Sequence, residues 1–202
     1  MTVIGITGSL ASGKSEAARF FQNRGAAVFD ADRSARKVIE KGKPVYRALL
    51  KIFGKSFLKK NGQIDRKKLA LHAFGHPGDL KKLNTLIHPA VIFDCIRIIH
   101  EAASQKRQVV LDVPLLFESH MQGLADVTIV IASTRKKMLE RARVRGIPKP
   151  LAQKILLAQW PLGKKKRLAD FVIENNGSLK DLARKLGEVM KQINGGKTKD
   201  GH

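Results

Sequence analysis

Short apolar runs separated by longer stretches of helical periodicity organise this chain. Val3-Ile4-Gly5-Ile6 is a brief, partly β-branched run that leads into a glycine-bearing segment, Gly8 to Gly13. Ala17, Ala18, Phe20 and Phe21 then recur at helical spacing, so the opening reads strand, loop, helix. Gly25 ends that helix, and Ala26-Ala27-Val28-Phe29 predicts a second strand stopping at Asp30-Ala31-Asp32. Residues 33–104 show no strand pattern. Leu49, Leu50, Ile52 and Phe53 predict one helical stripe, Leu69, Leu71 and Phe74 a second, and Leu80, Leu83, Leu86 and Ile87 a third. Helical spacing resumes from Pro89 to Ala103. That is too much helix for one crossover, so 44–104 is expected to be an inserted helical subdomain. Strands return at Val109–Asp112 and Val127–Ala132, followed by basic helices near 135–145 and 149–158. Phe171-Val172-Ile173 predicts a last strand. Over 178–193, Leu179, Leu182, Leu186, Val189 and Ile193 share one side of a closing helix, which packs on its own sheet or forms an interface. The polar tail, 195–202, is expected to fray. Strands alternating with helices place the chain in the α/β class.

Charge narrows the partners. Lys and Arg number 39 against 17 Asp and Glu, a formal net charge of +22. Such an excess implies a polyanion: a phosphorylated small molecule, nucleic acid or an anionic membrane. The basic residues are spread along the chain, with a modest concentration at Lys164-Lys165-Lys166-Arg167. Trp160 and Tyr46 are the only Trp and Tyr, so no stacking platform for bases is indicated. Weak, salt-sensitive, sequence-independent nucleic-acid binding is the expectation from charge alone. Cys95 is the single cysteine, which excludes an intramolecular disulfide and leaves a thiolate-pair zinc site without ligands. No apolar run approaches the ~20 residues that span a bilayer, and no basic segment precedes the first one. A soluble cytoplasmic protein with no membrane association is expected, a monomer or small homo-oligomer with no obligate protein partner.

Chemistry enters at Gly8-Ser9-Leu10-Ala11-Ser12-Gly13-Lys14-Ser15, which matches G-x-x-x-x-G-K-[ST] in full between a strand and a helix. Backbone N–H groups must wrap phosphate oxygens there, and Gly8 and Gly13 permit close approach that a side chain would obstruct. The helix starting near Lys14 adds unsatisfied N–H groups and the positive end of its dipole. Lys14 is suited to bridge the β- and γ-phosphates of ATP, and the Ser15 hydroxyl to hold Mg²⁺.

A phosphate loop leaves hydrolase and kinase open. Asp30 and Asp32 stand at the carboxyl end of strand two, where open α/β sheets bind ligands. In extended chain the two share a side opposite Ala31, one to accept a proton and the other to orient substrate or metal-bound water. The alternative is capping of a helix starting near Ser34. Asp112, closing Val109-Val110-Leu111, is either a contact to Mg²⁺ or a turn cap. Arg141 and Arg145, at i,i+4, either cover a transferring phosphoryl group or are solvated surface.

The order of these pieces resembles the dephospho-coenzyme A kinase family. The resemblance runs from Thr2 to about Ile193. It rests on Ile6-Thr7-Gly8 entering the phosphate loop, Asp30-Ala31-Asp32 followed by Ala35-Arg36, Leu86-Ile87-His88-Pro89, Pro114-Leu115-Leu116-Phe117-Glu118, and Ala169-Asp170-Phe171-Val172-Ile173 before Asn175-Asn176-Gly177. It implies a P-loop kinase fold: a parallel five-stranded sheet flanked by helices, an inserted helical substrate subdomain and a lid. In these terms 1–43, 105–134 and 168–194 form the nucleotide-binding core, 44–104 the acceptor-binding insertion and 135–167 the lid. The implied reaction is ATP-dependent phosphorylation of the ribose 3′-hydroxyl of dephospho-CoA, giving CoA and ADP. Asp32 matches the family's base, Lys14 and Ser15 its phosphate and Mg²⁺ residues, and Arg141 and Arg145 its lid arginines. Asn175 and Gly177 fall where the family meets adenine. His88 falls near the acceptor, and Leu115 and Glu118 continue the edge of its pocket. Glu16 and Lys154 depart from the family's usual residues. A P-loop kinase for another nucleoside or nucleotide, or a basic nucleic-acid-binding NTPase, is the competing reading.

Overall fold

A computed structural model describes residues 1–196; positions 197–202 of the expected frayed tail lie outside the described residues. In chain order the elements are β1 (Val3–Thr7), α1 (Lys14–Gln22), β2 (Ala27–Asp30), α2 (Ala31–Val38), α3 (Pro44–Phe53), α4 (Arg66–Gly75) and α5 (Pro77–Ser104). There follow β3 (Val109–Asp112), β4 (Val127–Ala132), α6 (Arg135–Val144), α7 (Lys149–Ala158), α8 (Leu162–Leu168), β5 (Phe171–Glu174) and α9 (Leu179–Asn194). The chain divides into two compact units: Met1–Asp30 with the chain from Ile98 onward, and Ala31–Arg97.

The first unit is built on a five-stranded sheet in the order β2-β3-β1-β4-β5, every pairing parallel. This is the sheet the sequence leads one to expect. Its three central strands β1, β3 and β4 are buried along their whole length, which is why they read as largely apolar runs and not as strict alternation. Alternation then sorts their side chains between two layers. Ile4, Ile6, Ile129 and Ile131 meet Phe21 of α1 and Leu182, Leu186, Val189 and Ile193 of α9. Val130 and Ala132 face Phe117, Trp160 and Leu162 on the other side. The apolar stripe of α9 thus packs on its own sheet. Leu179, read as part of that stripe, sits at the helix start and is 67% exposed. Ser178 and Asp181 form a reciprocal capping box there, holding the first turn.

The second unit closes a separate core in which Tyr46, Leu49, Phe57, Ile64, Leu69 and Leu83 are buried. Four expectations need correction. Ile52, read into the first helical stripe, is 50% exposed, because α3 turns Tyr46 and Leu49 inward. The helix after β2 starts at Ala31 and not near Ser34, so Asp32 lies in its first turn. The extended alternation that put Asp30 and Asp32 on one side therefore does not exist. A carboxylate in the first turn suits the helix dipole, which favours starting the helix early. Leu71 is 44% exposed, because α4 turns Leu69 and Ala73 inward instead. The helical stretch ending at Ile87 and the one resuming at Pro89 are a single helix; α5 runs through Pro89 for 28 residues, about 42 Å. Proline removes one helical donor, that for the Thr85 carbonyl, and the apolar contacts before and after it outweigh the loss. Among the described residues, no helix is long and apolar enough to cross a membrane.

Candidate active site

The loop between β1 and α1 is shaped by packing as much as by glycine freedom. Gly8 has φ 152°, and a Cβ there would lie 2.2 Å from the Ile131 carbonyl oxygen. Gly13 has φ 110°, and a Cβ there would lie 2.1 Å from Asn175 Nδ2. Both positions forbid a side chain on steric and conformational grounds. Ala11 takes a left-handed φ of 54°, held by packing against Ala142 and Ala152. Ser12 donates its N–H to the Ser9 carbonyl, closing the turn. α1 then begins at Lys14, so its free N–H groups and dipole end face the concave loop. The Ser12 hydroxyl is buried without a hydrogen-bond partner among the described residues. Lys14 is buried and its Nζ donates to the Ser9 carbonyl at 3.1 Å, while Ser15 is exposed. The loop thus presents free N–H groups on its concave side with one cation folded across it.

A second layer braces the cradle. Asn175 Nδ2 donates to the Ser12 carbonyl at 2.7 Å. Arg141 donates to the same carbonyl at 3.3 Å, to Ser133 Oγ at 3.4 Å and to the Asn175 carbonyl at 3.1 Å. Asn176 Oδ1 accepts from Ser133 Oγ and the Thr134 N–H, each at 3.0 Å, and its carbonyl accepts from Lys137 Nζ. Gln159 Oε1 accepts from the Leu10 N–H at 3.1 Å. The turn after β5 and the start of α6 are thereby tied to the loop. Arg141 belongs to this network; Arg145 is exposed and serves as the C-terminal cap residue of α6. Gly177 has its own local reason: a Cβ there would lie 2.6 Å from Asp181 Oδ2, the carboxylate of the α9 capping box.

The carboxyl edge of the sheet supplies the acids of this unit. Asp30 and Asp112 are register partners on β2 and β3, and Asp112 is also opposite Ile6 on β1. Paired positions on neighbouring parallel strands present their side chains to one face. Two carboxylates therefore stand side by side at the strand ends, the edge from which the loop after β1 departs. Asp32 is the second residue of α2.

Beyond β3 the chain is stapled by a group that the sequence conceals. Lys165, inside the basic run 164–167, is fully buried. Its ammonium pairs with Glu118 Oε1 at 2.7 Å and donates to the Pro114 carbonyl at 2.8 Å. Thr7 Oγ1 donates to that same carbonyl at 3.1 Å, and the Trp160 N–H to Glu118 Oε1 at 2.9 Å. Glu118 Oε2 is buried without a partner among the described residues, and Leu115 is half-buried. The rest of the basic run is partly neutralised: Lys164 lies 3.3 Å over the Trp160 ring, and Lys166 pairs with Glu174.

In the second unit His88 is half-buried on α5, and burial holds its imidazole pKa below the ordinary value. The sign follows from proton uptake. The unfolded chain binds a proton near pH 6.5 that the folded chain resists, so stability present above that pH is lost as pH falls through the depressed folded value. Urea titrations between about pH 7 and pH 5 should show a shallower loss for His88→Gln than for the parent. Equal slopes would contradict it.

The dephospho-CoA kinase family model matches residues 2–181. A dephospho-CoA kinase of Carboxydothermus hydrogenoformans is 38% identical over 194 residues, covering 95% of this chain and 94% of that protein. The crystal structure of TT1252 from Thermus thermophilus superposes with a TM-score of 0.76 at 32% identity, covering 95% of this chain and 97% of the other. Dephospho-CoA kinase from Campylobacter jejuni gives a TM-score of 0.70 at 25% identity, covering 97% and 98%. With a complete phosphate loop on a parallel five-stranded sheet and a family match across nearly the whole chain, this protein belongs to the dephospho-CoA kinase family.

Proposed function

We propose that the chain transfers the γ-phosphoryl group of ATP to the ribose 3′-hydroxyl of dephospho-CoA, with Lys14, Arg141, Arg145 and Asp32 as the catalytic groups. Family membership carries the reaction class, ATP-dependent phosphorylation of dephospho-CoA. The observation that carries the ATP site is the braced loop Gly8–Ser15, whose buried Lys14 and unpartnered Ser12 hydroxyl suit a polyphosphate. Transfer passes through a loose transition state with charge spread over the equatorial oxygens, so positioning and electrostatics dominate. Lys14 neutralises charge on the β- and γ-phosphates. Arg141, already at the loop, and Arg145 add positive charge to the transferring group. Asn175 and Gly177, in the turn that braces the loop, shape the adenine end.

Mg²⁺ fits the donors present. The Ser15 hydroxyl and the Asp112 carboxylate are hard oxygen ligands, few enough to leave positions for phosphate oxygens and water. Bound there, the ion would neutralise charge on the phosphates. Asp32 accepts the proton of the acceptor hydroxyl, and Asp30, beside Asp112, orients substrate or metal-bound water. Leu115, Glu118 and His88 belong to acceptor binding, Glu118 through the segment after β3 that its pair with Lys165 holds in place. In domain terms, 1–43, 105–134 and 168–194 act as nucleotide core, 44–104 as acceptor-binding part and 135–167 as lid, with residues 31–43, which fold with the helical unit, serving acceptor binding as well. The protein works in the cytoplasm, and its nucleic-acid binding is weak and non-specific.

Offering ATP with dephospho-CoA, adenosine, dCMP or shikimate tests the acceptor. Dephospho-CoA should be preferred, with one ADP formed per CoA; equal or greater turnover with dCMP or shikimate would overturn the reading. Asp32→Asn keeps size and hydrogen bonding but cannot take the proton. Phosphorylation should fall about 10²-fold while ATP binds normally. Asp30→Asn should instead raise the Mg²⁺ requirement, read by single-turnover product formation across a Mg²⁺ titration. Parental chemistry in Asp32→Asn, with loss in Asp30→Asn, would reverse the two assignments.

A further inference from the structure

The helical unit contains a cavity of about 400 Å³ on which Arg36, Lys41, Lys59 and Arg66 converge. Buried Ile39 and Ile64 form its apolar part, and Glu40 is the one carboxylate on its lining. None of the four cations is engaged in an ion pair or a side-chain hydrogen bond among the described residues. Four like charges around one cavity repel each other, and a bound anion relieves that repulsion.

The cavity wall is built, not incidental. The turn carrying Lys59 is closed by the Lys59 N–H to the Gln63 carbonyl at 2.8 Å and the Gly62 N–H to the Lys59 carbonyl at 2.9 Å. Tyr46 donates its hydroxyl to the Gly62 carbonyl at 2.6 Å, pinning the turn to the core. Gly62 has φ 77°, and a Cβ there would crowd the Lys41 side chain, 3.2 Å from its Nζ, so glycine leaves Lys41 room to lie across the turn. Arg66 opens α4, whose first turn holds no acid. A helix start disfavours cations, and Arg66, Lys67 and Lys68 occupy it behind a single carboxylate, the N-cap Asp65, whose Oδ1 accepts from the Lys68 N–H at 3.1 Å. An anion in the cavity would add to the offset that Asp65 gives.

We infer that this cavity holds the diphosphate of the acceptor, with Lys41 and Arg66 as its principal contacts. The inference rests on the reading of dephospho-CoA as acceptor. That molecule carries its charge on one diphosphate between adenosine and the pantetheine arm, whose first carbons bear a geminal dimethyl group. A cavity of this volume is at the small end for a whole ligand and suits the diphosphate with the start of the arm. These residues make no claim on the ATP phosphates. They set which acceptor is taken.

The test is steady-state kinetics with dephospho-CoA and with adenosine, which has the acceptor hydroxyl and lacks the diphosphate. Lys41→Gln and Arg66→Gln should each raise KM for dephospho-CoA about 10-fold, and the double variant about 10²-fold, the scale of charge-assisted hydrogen bonds. KM for ATP and kcat at saturating dephospho-CoA should stay near parental, as should kcat/KM with adenosine. Lys81→Gln, exposed on α5 and outside the cavity, controls for net charge and should leave every value unchanged. Inorganic pyrophosphate should compete with dephospho-CoA in the parent and lose that competition in the double variant. Pyrophosphate binding that depends on Lys41 and Arg66 while KM for dephospho-CoA does not would mark an independent anion site and overturn the inference. So would an equal loss with both acceptors, or no change with either. Failure of the parent to phosphorylate dephospho-CoA is a different outcome, which removes the underlying reading itself.

Discussion

Lys14→Ala should lower turnover with dephospho-CoA by about 10²–10³-fold, the scale for removing one preorganised charge-stabilising group. Lys14 is the first residue of α1, and its Nζ lies over the loop, donating to the Ser9 carbonyl at 3.1 Å. That bond contributes about 1 kcal/mol to stability, so the unfolding midpoint should move little. The phosphates would still meet the backbone donors and the helix dipole, which depend on Gly8 and Gly13 and remain. What disappears is the charge that follows the phosphoryl group between oxygens. Removing an interaction of equal strength in the ground and transition states would raise KM alone, so kcat is the discriminating quantity. Single-turnover product formation, beside urea unfolding, reads both. Near-parental turnover would exclude this loop as the catalytic one.

Lys165→Met should cost about 3–5 kcal/mol of stability, the range for breaking one partner out of a buried ion pair. Burial pulls the Lys165 pKa below its ordinary value, against the hydrogen bond and charge of Glu118, which raise it. The ammonium nonetheless has two oxygen partners within 2.8 Å, Glu118 Oε1 and the Pro114 carbonyl. Without it, Glu118 keeps a carboxylate in a nearly closed setting, its side chain only 11% exposed, with the Trp160 N–H as remaining donor. Adding Glu118→Gln should recover much of the loss, because the uncompensated charge and not the missing hydrogen bond carries most of the cost. Urea unfolding of the two single variants and the double gives the coupling directly. Additive losses would show that the pair is not coupled. An unchanged midpoint in Lys165→Met would show that the ammonium is not buried in solution.

The strands and the loop were legible because their signals are local. β1, β3 and β4 lie buried on both faces, so most of their positions are apolar, with Thr7, Asp112 and Thr128 as buried polar exceptions. Gly8, Gly13, Lys14 and Ser15 occur at fixed spacing because a phosphate cradle has few backbone solutions. What escaped the sequence depends on distant partners. Nothing in Lys164-Lys165-Lys166-Arg167 distinguishes the one lysine that turns inward, since its reason lies at Glu118 and Pro114, tens of positions earlier. Asn176 and Ser133 meet only because β4 and β5 are neighbours. Reading 80–87 and 89–103 as separate helical stretches failed at Pro89 for the opposite reason. Proline's local preference to end a helix is real and is outweighed by packing along α5. The Asp30–Asp32 alternation failed at a boundary, where strand turned to helix one residue after Asp30.

The most direct measurement is phosphorus NMR of the purified protein with ATP, Mg²⁺ and dephospho-CoA, followed by mass spectrometry of the product. One new phosphomonoester resonance on the ribose 3′-oxygen should grow in step with ADP and with loss of the ATP γ-phosphate. Release of inorganic phosphate with dephospho-CoA unchanged, or a phosphate placed at another position, would contradict transfer to that hydroxyl.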